Sequence, residues 1–149
     1  MSAPHAVRFP EPHPNPETQP YWEAARTGRL LLQHCEDCDW PFLYPRLVCP
    51  HCWGEHLSWI PAAGTGVVET ATVVHRAGHP AFQELVPYTC AVVRLTEGPT
   101  LMTNVVGDHG GLAAIGCRVR VTFITREGWA LPVAELLEPV PATSVGGKP

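Results

Sequence analysis

The sequence predicts a mainly β protein: a short N-terminal helix, a four-cysteine ribbon, then a five-stranded Greek-key barrel of the OB type. Three observations carry that expectation. Two Cys-x-x-Cys pairs, Cys35/Cys38 and Cys49/Cys52, are separated by ten residues, so two facing knuckles can aim four thiolates at one point. A stretch that opens on Pro20 and stops at Gly28 precedes them and reads as about two helical turns. Five β-rich runs, each bounded by glycine, proline or charged turns, follow them.

Taken in order, residues 1–20 form an arm with prolines at 4, 10, 12, 14, 16 and 20, a density that blocks helix and central strand and favours extended chain. The arm is expected either as a disordered tail or as a segment ordered against a partner. Residues 21–60 hold the helix and the ribbon. Tyr21 and Trp22 form the aromatic entrance of the helix, read either as packing against ribbon or barrel or as a protein-contact surface. Arg29 to Gln33 leads as a strand into the first knuckle, and Trp40 to Pro45 make a short apolar hairpin that can cover the metal. The rival reading of the four cysteines is two disulfides, but no secretory signal precedes them. Zn²⁺ is the expected ion, although iron fits four thiolates equally well and spacing does not separate the two. Four protein ligands leave no open position, so the site is expected to be structural.

Residues 61–138 hold the barrel. Its runs are Val67 to Val74, Tyr88 to Leu95, Thr100 to Val106, Arg118 to Ile124 and Trp129 to Leu136, with a helical turn expected at Leu112 to Ile115. The fourth alternates cleanly, which predicts Val119, Val121 and Phe123 facing the core. A flatter five-stranded meander is the alternative topology. Cys90 and Cys117 lie in or beside strands and read as core or core-edge thiols. Residues 139–149 have the composition of a solvated tail.

Composition sets outer bounds. The 149 residues are 45% apolar, ordinary for a globular protein. No apolar run approaches the ~18 residues of a membrane helix, and the N-terminus lacks secretory or transit features, so a cytoplasmic location is expected and no membrane. Net charge is −4 and Lys148 is the one lysine, so the positive field that phosphate-backbone binding requires is missing. Ribbon plus OB barrel is also an architecture of single-strand binders, but the five strands carry only Tyr88, Phe123 and Trp129 as aromatics. A nucleic-acid partner is therefore not expected.

The order of parts, together with TGVVETATVVHR, PYTCAVVRLTEGPTLMTNVVG and the late IGCRVRVTF segment, closely resembles the acyl-CoA-associated zinc-ribbon/OB-fold family, with a rubredoxin-like ribbon. The resemblance covers about residues 15–139. It implies a non-catalytic accessory subunit that docks on a thiolase-like enzyme, a lipid-transfer-type retro-aldolase or a hydratase, steadies it and helps shape its acyl-CoA or steroid-CoA site. In actinobacterial sterol degradation a related domain is fused to a hydratase subunit and partners a side-chain aldolase. These 149 residues carry no hydratase half, and a free-standing subunit is expected. The alternative is a stand-alone acyl-CoA-binding protein.

An enzyme would need a nucleophile or an acid/base pair. The candidates Cys90, His75, His79, His109 and Asp108 show no spacing of a known catalytic arrangement. As binding residues, His75, Arg76, His79 and Arg94 are expected as a ring of donors to a CoA phosphate.

Overall fold

The computed structural model describes residues 8–107 and 115–137. Most of the expected turn at Leu112 to Ile115, together with Asp108, His109, residues 1–7 of the arm and the 139–149 tail, lies outside them.

Helix α1 spans Gln19–Arg26. Asn15 organises its entry, because its side-chain oxygen accepts from the Thr18 N–H at 2.8 Å, and Pro20 sits where a missing N–H costs no helical bond. At the other end Thr27 Oγ1 donates to the Ala24 carbonyl at 2.8 Å, and Gly28 at φ +73° turns the chain away. Ala24 and Ala25 are the buried side of the helix, which packs on the barrel's last strand and on the first ribbon strand.

The ribbon is a three-stranded antiparallel sheet of β1 (Leu31–Cys35), β2 (Trp40–Phe42) and β3 (Leu57–Pro61), ordered β2-β1-β3. Alternation along β1 gives the sheet two employments. Leu32, fully buried, joins the barrel core, whereas Cys35 joins Phe42 and Cys49 in a second small cluster. Between them Gln33 is buried, and its side-chain oxygen accepts from the Arg46 N–H at 2.7 Å, tying the loop after β2 back to the sheet.

The barrel comprises β4 (Thr65–Val74), β5 (Tyr88–Leu95), β6 (Thr100–Val106), β7 (Arg118–Arg126) and β8 (Trp129–Leu136). It is closed in the order β4-β5-β6-β8-β7, with β7 returning to β4. The last strand thus inserts between the third and fourth, pairing in parallel with β6 through Val105↔Ala134. That parallel pair excludes a meander and is the Greek-key closure of an OB barrel. Gly66 sits at the seam, opposite both Leu95 and Val119. A Cβ there would lie 2.5 Å from the Arg94 carbonyl oxygen, so the closure needs glycine for close approach.

Val68, Val93, Leu95, Val119 and Ala134 fill the barrel, and Leu30, Leu32 and Leu43 from the ribbon side extend the same core. Of the fourth-strand residues, Val119 and Val121 are buried as expected, but Phe123 is only half-buried at the core's edge. The reason is position. Phe123 pairs with Pro132 beyond the barrel centre and lines a cleft beside Gly28 and Leu30 at the ribbon junction.

The described part of the arm is not free. Phe9 stands edge-on to Phe82 with ring centroids 5.1 Å apart, and the Arg126 guanidinium lies 4.5 Å from the Phe9 ring centre and 5.7 Å from that of Phe82. Phe82 belongs to a 3-10 turn, Pro80–Leu85, before β5. The arm is therefore pinned to its own barrel by an aromatic and cation-π cluster. Among the described residues no helix is long and apolar enough to cross a membrane.

Candidate metal centre

The two knuckles leave the β1–β2 turn and the loop before β3, and they are built alike. In each, the residue after the second cysteine is left-handed: Asp39 at φ 56° and Trp53 at φ 65°. That turn points backbone N–H groups at sulfur. His51 N–H donates to Cys49 Sγ at 3.3 Å and Gly54 N–H to Cys52 Sγ at 3.4 Å, while the N–H groups of Cys38 and Asp37 serve Cys35. The four Sγ atoms all lie within 4.8 Å of one another, with Cys35–Cys52 at 3.6 Å and Cys38–Cys49 at 3.7 Å. Four thiolates at 2.3 Å from a tetrahedral zinc stand about 3.8 Å apart. These separations are nearly twice the ~2.05 Å of a disulfide, so the site fits a metal and not two bridges.

Electrostatics point the same way. Burial is the largest cause pushing the Cys35 and Cys38 thiols up, and at Cys38 the neighbouring sulfurs add to it. At Cys49 burial acts in the same direction, yet the N–H groups of Cys52 and His51 and the neighbouring thiols outweigh it and bring it down to about 7. A divalent ion held by Cys35, Cys38, Cys49 and Cys52 would keep all four deprotonated, with no coordination position left for a substrate. Its contribution is to hold the two knuckles together.

A polar shell that the sequence did not announce braces these knuckles. His34 Nε2 meets Asp39 Oδ1 at 2.7 Å, and His56 Nδ1 meets Asp37 Oδ1 at 2.8 Å, linking the first knuckle to the strand that leaves the second. Those carboxylates, as hydrogen-bond acceptors, raise the pKa of each histidine. Gly54 makes room for this shell, because a Cβ there would sit 2.1 Å from Asp37 Oδ2. Histidine and aspartate scattered between cysteines carry no periodic signal, and only the folded knuckles bring them together.

The other predicted residues fall elsewhere. Tyr21 packs on the barrel core, and burial pushes its phenol up to about 12. Trp22 stands edge-on to Trp129 of β8 at 5.7 Å, with Arg26 5.3 Å from that ring's centre. His75 and Arg76 are exposed just past β4, and His79 caps the 3-10 turn by accepting from the Ala81 N–H at 3.2 Å. Arg94 does not join them. The register sets Val74 opposite Tyr88 and Val67 opposite Arg94, so Arg94 lies about 20 Å along β5 from the histidine end at the usual strand rise. It is committed there to Glu69 at 2.5 Å and to the Gly98 carbonyl at 2.8 Å. Cys90 is half-buried in β5.

Two apolar clefts flank the ribbon. One, of 430 Å³, runs between the loop after β2 and the β5–β6 turn, lined by Trp40, Tyr44, Arg46 and Pro50 against Arg94 and Pro99. The other, of 270 Å³, lies beneath α1 between Trp22, Tyr44 and Met102.

The comparisons with known proteins fit this architecture. A family profile described as "ChsH2, rubredoxin-like zinc ribbon domain" matches residues 22–58, and "ChsH2, C-terminal OB-fold domain" matches 59–123. A chain of the solved "Ltp2-ChsH2(DUF35) aldolase" is 36% identical with a TM-score of 0.75, covering 85% of this chain and 98% of that one. A probable enoyl-CoA hydratase alpha subunit of Thermomonospora curvata is 42% identical over 121 residues, 81% of this chain but 37% of the relative. The chain thus spans little more than a third of that subunit. A DUF35 domain-containing scaffold protein of Methanothermobacter thermautotrophicus is 27% identical over 109 residues, 68% of this chain and 81% of the relative. Ribbon, barrel and these matches together place the chain as a member of the ChsH2-type zinc-ribbon/OB-fold family.

Proposed function

We propose that this chain is a non-catalytic accessory subunit that binds a thiolase-like or lipid-transfer-type aldolase acting on acyl-CoA substrates, steadies that enzyme and helps form its acyl-CoA site. The observation that carries the proposal is how the similarity is distributed. One ribbon–barrel unit is shared with an aldolase assembly, with part of a hydratase alpha subunit and with a scaffold protein. Hydration and carbon–carbon cleavage need different catalytic groups, so a unit common to both fits a supporting role better than a catalytic one. The chemistry of the site agrees: an ion held by four thiolates would leave no position for a substrate, and Cys90 is half-buried in β5.

The experiment is co-expression with candidate aldolase, thiolase and hydratase subunits. A complex that survives size-exclusion chromatography is expected, with turnover of acyl-CoA by the complex and none by this chain alone. Turnover by the stringently purified chain, abolished by Cys90→Ser, would overturn the accessory role. Tight acyl-CoA binding by the isolated chain, with no enzyme partner recovered, would favour a stand-alone carrier instead.

A further inference from the structure

Resting on that accessory role, we infer that the enzyme subunit docks on the aromatic face between ribbon and barrel, centred on Tyr44, and presents there an apolar segment carrying a carboxylate that meets Arg46. Exposed apolar side chains collect between ribbon and barrel. Trp40 is 47% exposed, Tyr44 61% and Met102 64%, values unusual for side chains of this size in a finished surface. They form one band, because the 430 Å³ and 270 Å³ clefts share Leu43 and Tyr44. Trp40 lines the first cleft, Met102 the second, and Tyr44 is the ridge between them.

The band is held ready in shape. Trp40 is stacked on His51 with ring centroids 4.6 Å apart and planes 8° from parallel, which locks β2 to the second knuckle. Leu43, beside Tyr44, is buried in the shared core, and Gln33 holds the Arg46 backbone at 2.7 Å. Backbone already held in place loses little further freedom on binding, and tyrosine, tryptophan and arginine are the residue types that dominate interface energetics. Tyr21 and Trp22 border the second cleft from the α1 side and are already packed on the barrel.

Charge identifies the occupant. Three charges line the first cleft: Arg94 is neutralised by Glu69, Glu97 accepts from the Ala63 N–H and forms no ion pair with Arg46, and the Arg46 side chain has no ion pair or hydrogen bond among the described residues. The ribbon's own Asp37 and Asp39 are taken by His56 and His34. A partner that covers the band buries Arg46, and a buried guanidinium requires a carboxylate, best met in the bidentate geometry arginine offers. A neutral apolar surface would leave that charge stranded.

The test uses the full-length chain and, as probe, the Ltp2 aldolase subunit of the structural relative, with affinity measured by calorimetry. Tyr44→Ala and Arg46→Glu are each expected to raise the dissociation constant about tenfold or more, while His75→Ala and Arg120→Gln, at exposed positions that line neither cleft, change it less than about threefold. Arg46→Lys should recover part of the loss, as expected for a charge whose fork geometry also matters. Metal content and melting temperature, measured on every variant, separate docking defects from folding defects. A wild-type complex whose affinity is unmoved by Tyr44→Ala and Arg46→Glu, both folded, overturns this docking face and leaves the accessory role standing. Failure of the wild-type chain to bind the aldolase, together with Tyr44-dependent self-association by sedimentation, overturns both and makes a second copy of this chain the occupant. Failure to bind with no self-association likewise rejects both.

Discussion

Ribbon and barrel are stabilised by different physics, although they share a boundary. The barrel closes five strands on a core in which Val68, Val93 and Val119 are essentially fully buried. The ribbon has three strands of five, three and five residues, and its own interior is Cys35, Phe42 and Cys49 with Cys38 and Leu57 against them. So little apolar surface does not offset the ordering of some thirty residues at about 1–2 kcal/mol each. An ion in the four-thiolate site would hold the ribbon, whereas apolar burial holds the barrel. The lesson is that the two halves should fail separately under some insults and together under others.

Metal removal is the largest effect. A four-thiolate zinc contributes on the order of 10–16 kcal/mol of binding free energy that becomes folding free energy. Chelation, or Cys49→Ser, is therefore expected to unfold the ribbon and abolish the near-ultraviolet signal of Trp40 and Trp53 while most barrel circular dichroism persists. Elemental analysis should return one metal per wild-type chain. Protons compete for thiolates, so retention should fall as pH drops below neutrality. A ribbon whose tryptophan signal survives complete demetallation would show that the polar shell around His34 and His56 suffices without the ion.

The next effect sits on the shared boundary. Leu32 is fully buried where ribbon meets barrel, so Leu32→Ala is expected to cost about 2–5 kcal/mol and to lower the melting of both halves. Phe123 lies half-buried at the edge, so Phe123→Ala should fall below the ~3–5 kcal/mol of a fully buried aromatic. Denaturant melts followed by ribbon tryptophan fluorescence and by barrel circular dichroism report the two halves. If Leu32→Ala moves only one of the two transitions, the core is not continuous.

Much of this was legible before the fold was seen, for identifiable reasons. The cysteine spacing expresses knuckle geometry directly, and the alternation of Val119 and Val121 expresses the pleat, so metal centre and barrel strands are local statements. The Phe123 expectation held for the face but not for full burial, because alternation assigns a face but not a depth along the barrel. The proposed ring of His75, Arg76, His79 and Arg94 was drawn from residue type, and strand register then placed Arg94 at the far end of β5. Tyr44 was legible only as part of an apolar hairpin over the metal, and Arg46 carried no sequence signal. They matter because a tertiary cleft, built from two elements some fifty residues apart, passes between them and the β5–β6 turn.

The smallest effect concerns how the ribbon displays its tryptophan. Trp53 holds φ at 65° in the second knuckle and is 76% exposed. A residue with a Cβ in that left-handed conformation costs roughly 1–2 kcal/mol, and so exposed a ring recovers little of it by packing. Asp39, at the matching place in the first knuckle, offsets the same cost through its contact with His34. Trp53→Gly should therefore stabilise the ribbon. The gain is reduced because glycine also widens the unfolded ensemble, leaving about 0.5–1 kcal/mol net. Trp53→Ala is the control, since it removes the ring but keeps the Cβ and should leave stability close to wild type. Denaturant melts of the zinc-loaded protein decide the matter: glycine above alanine assigns the gain to the backbone, and equal gains assign it to loss of the exposed ring.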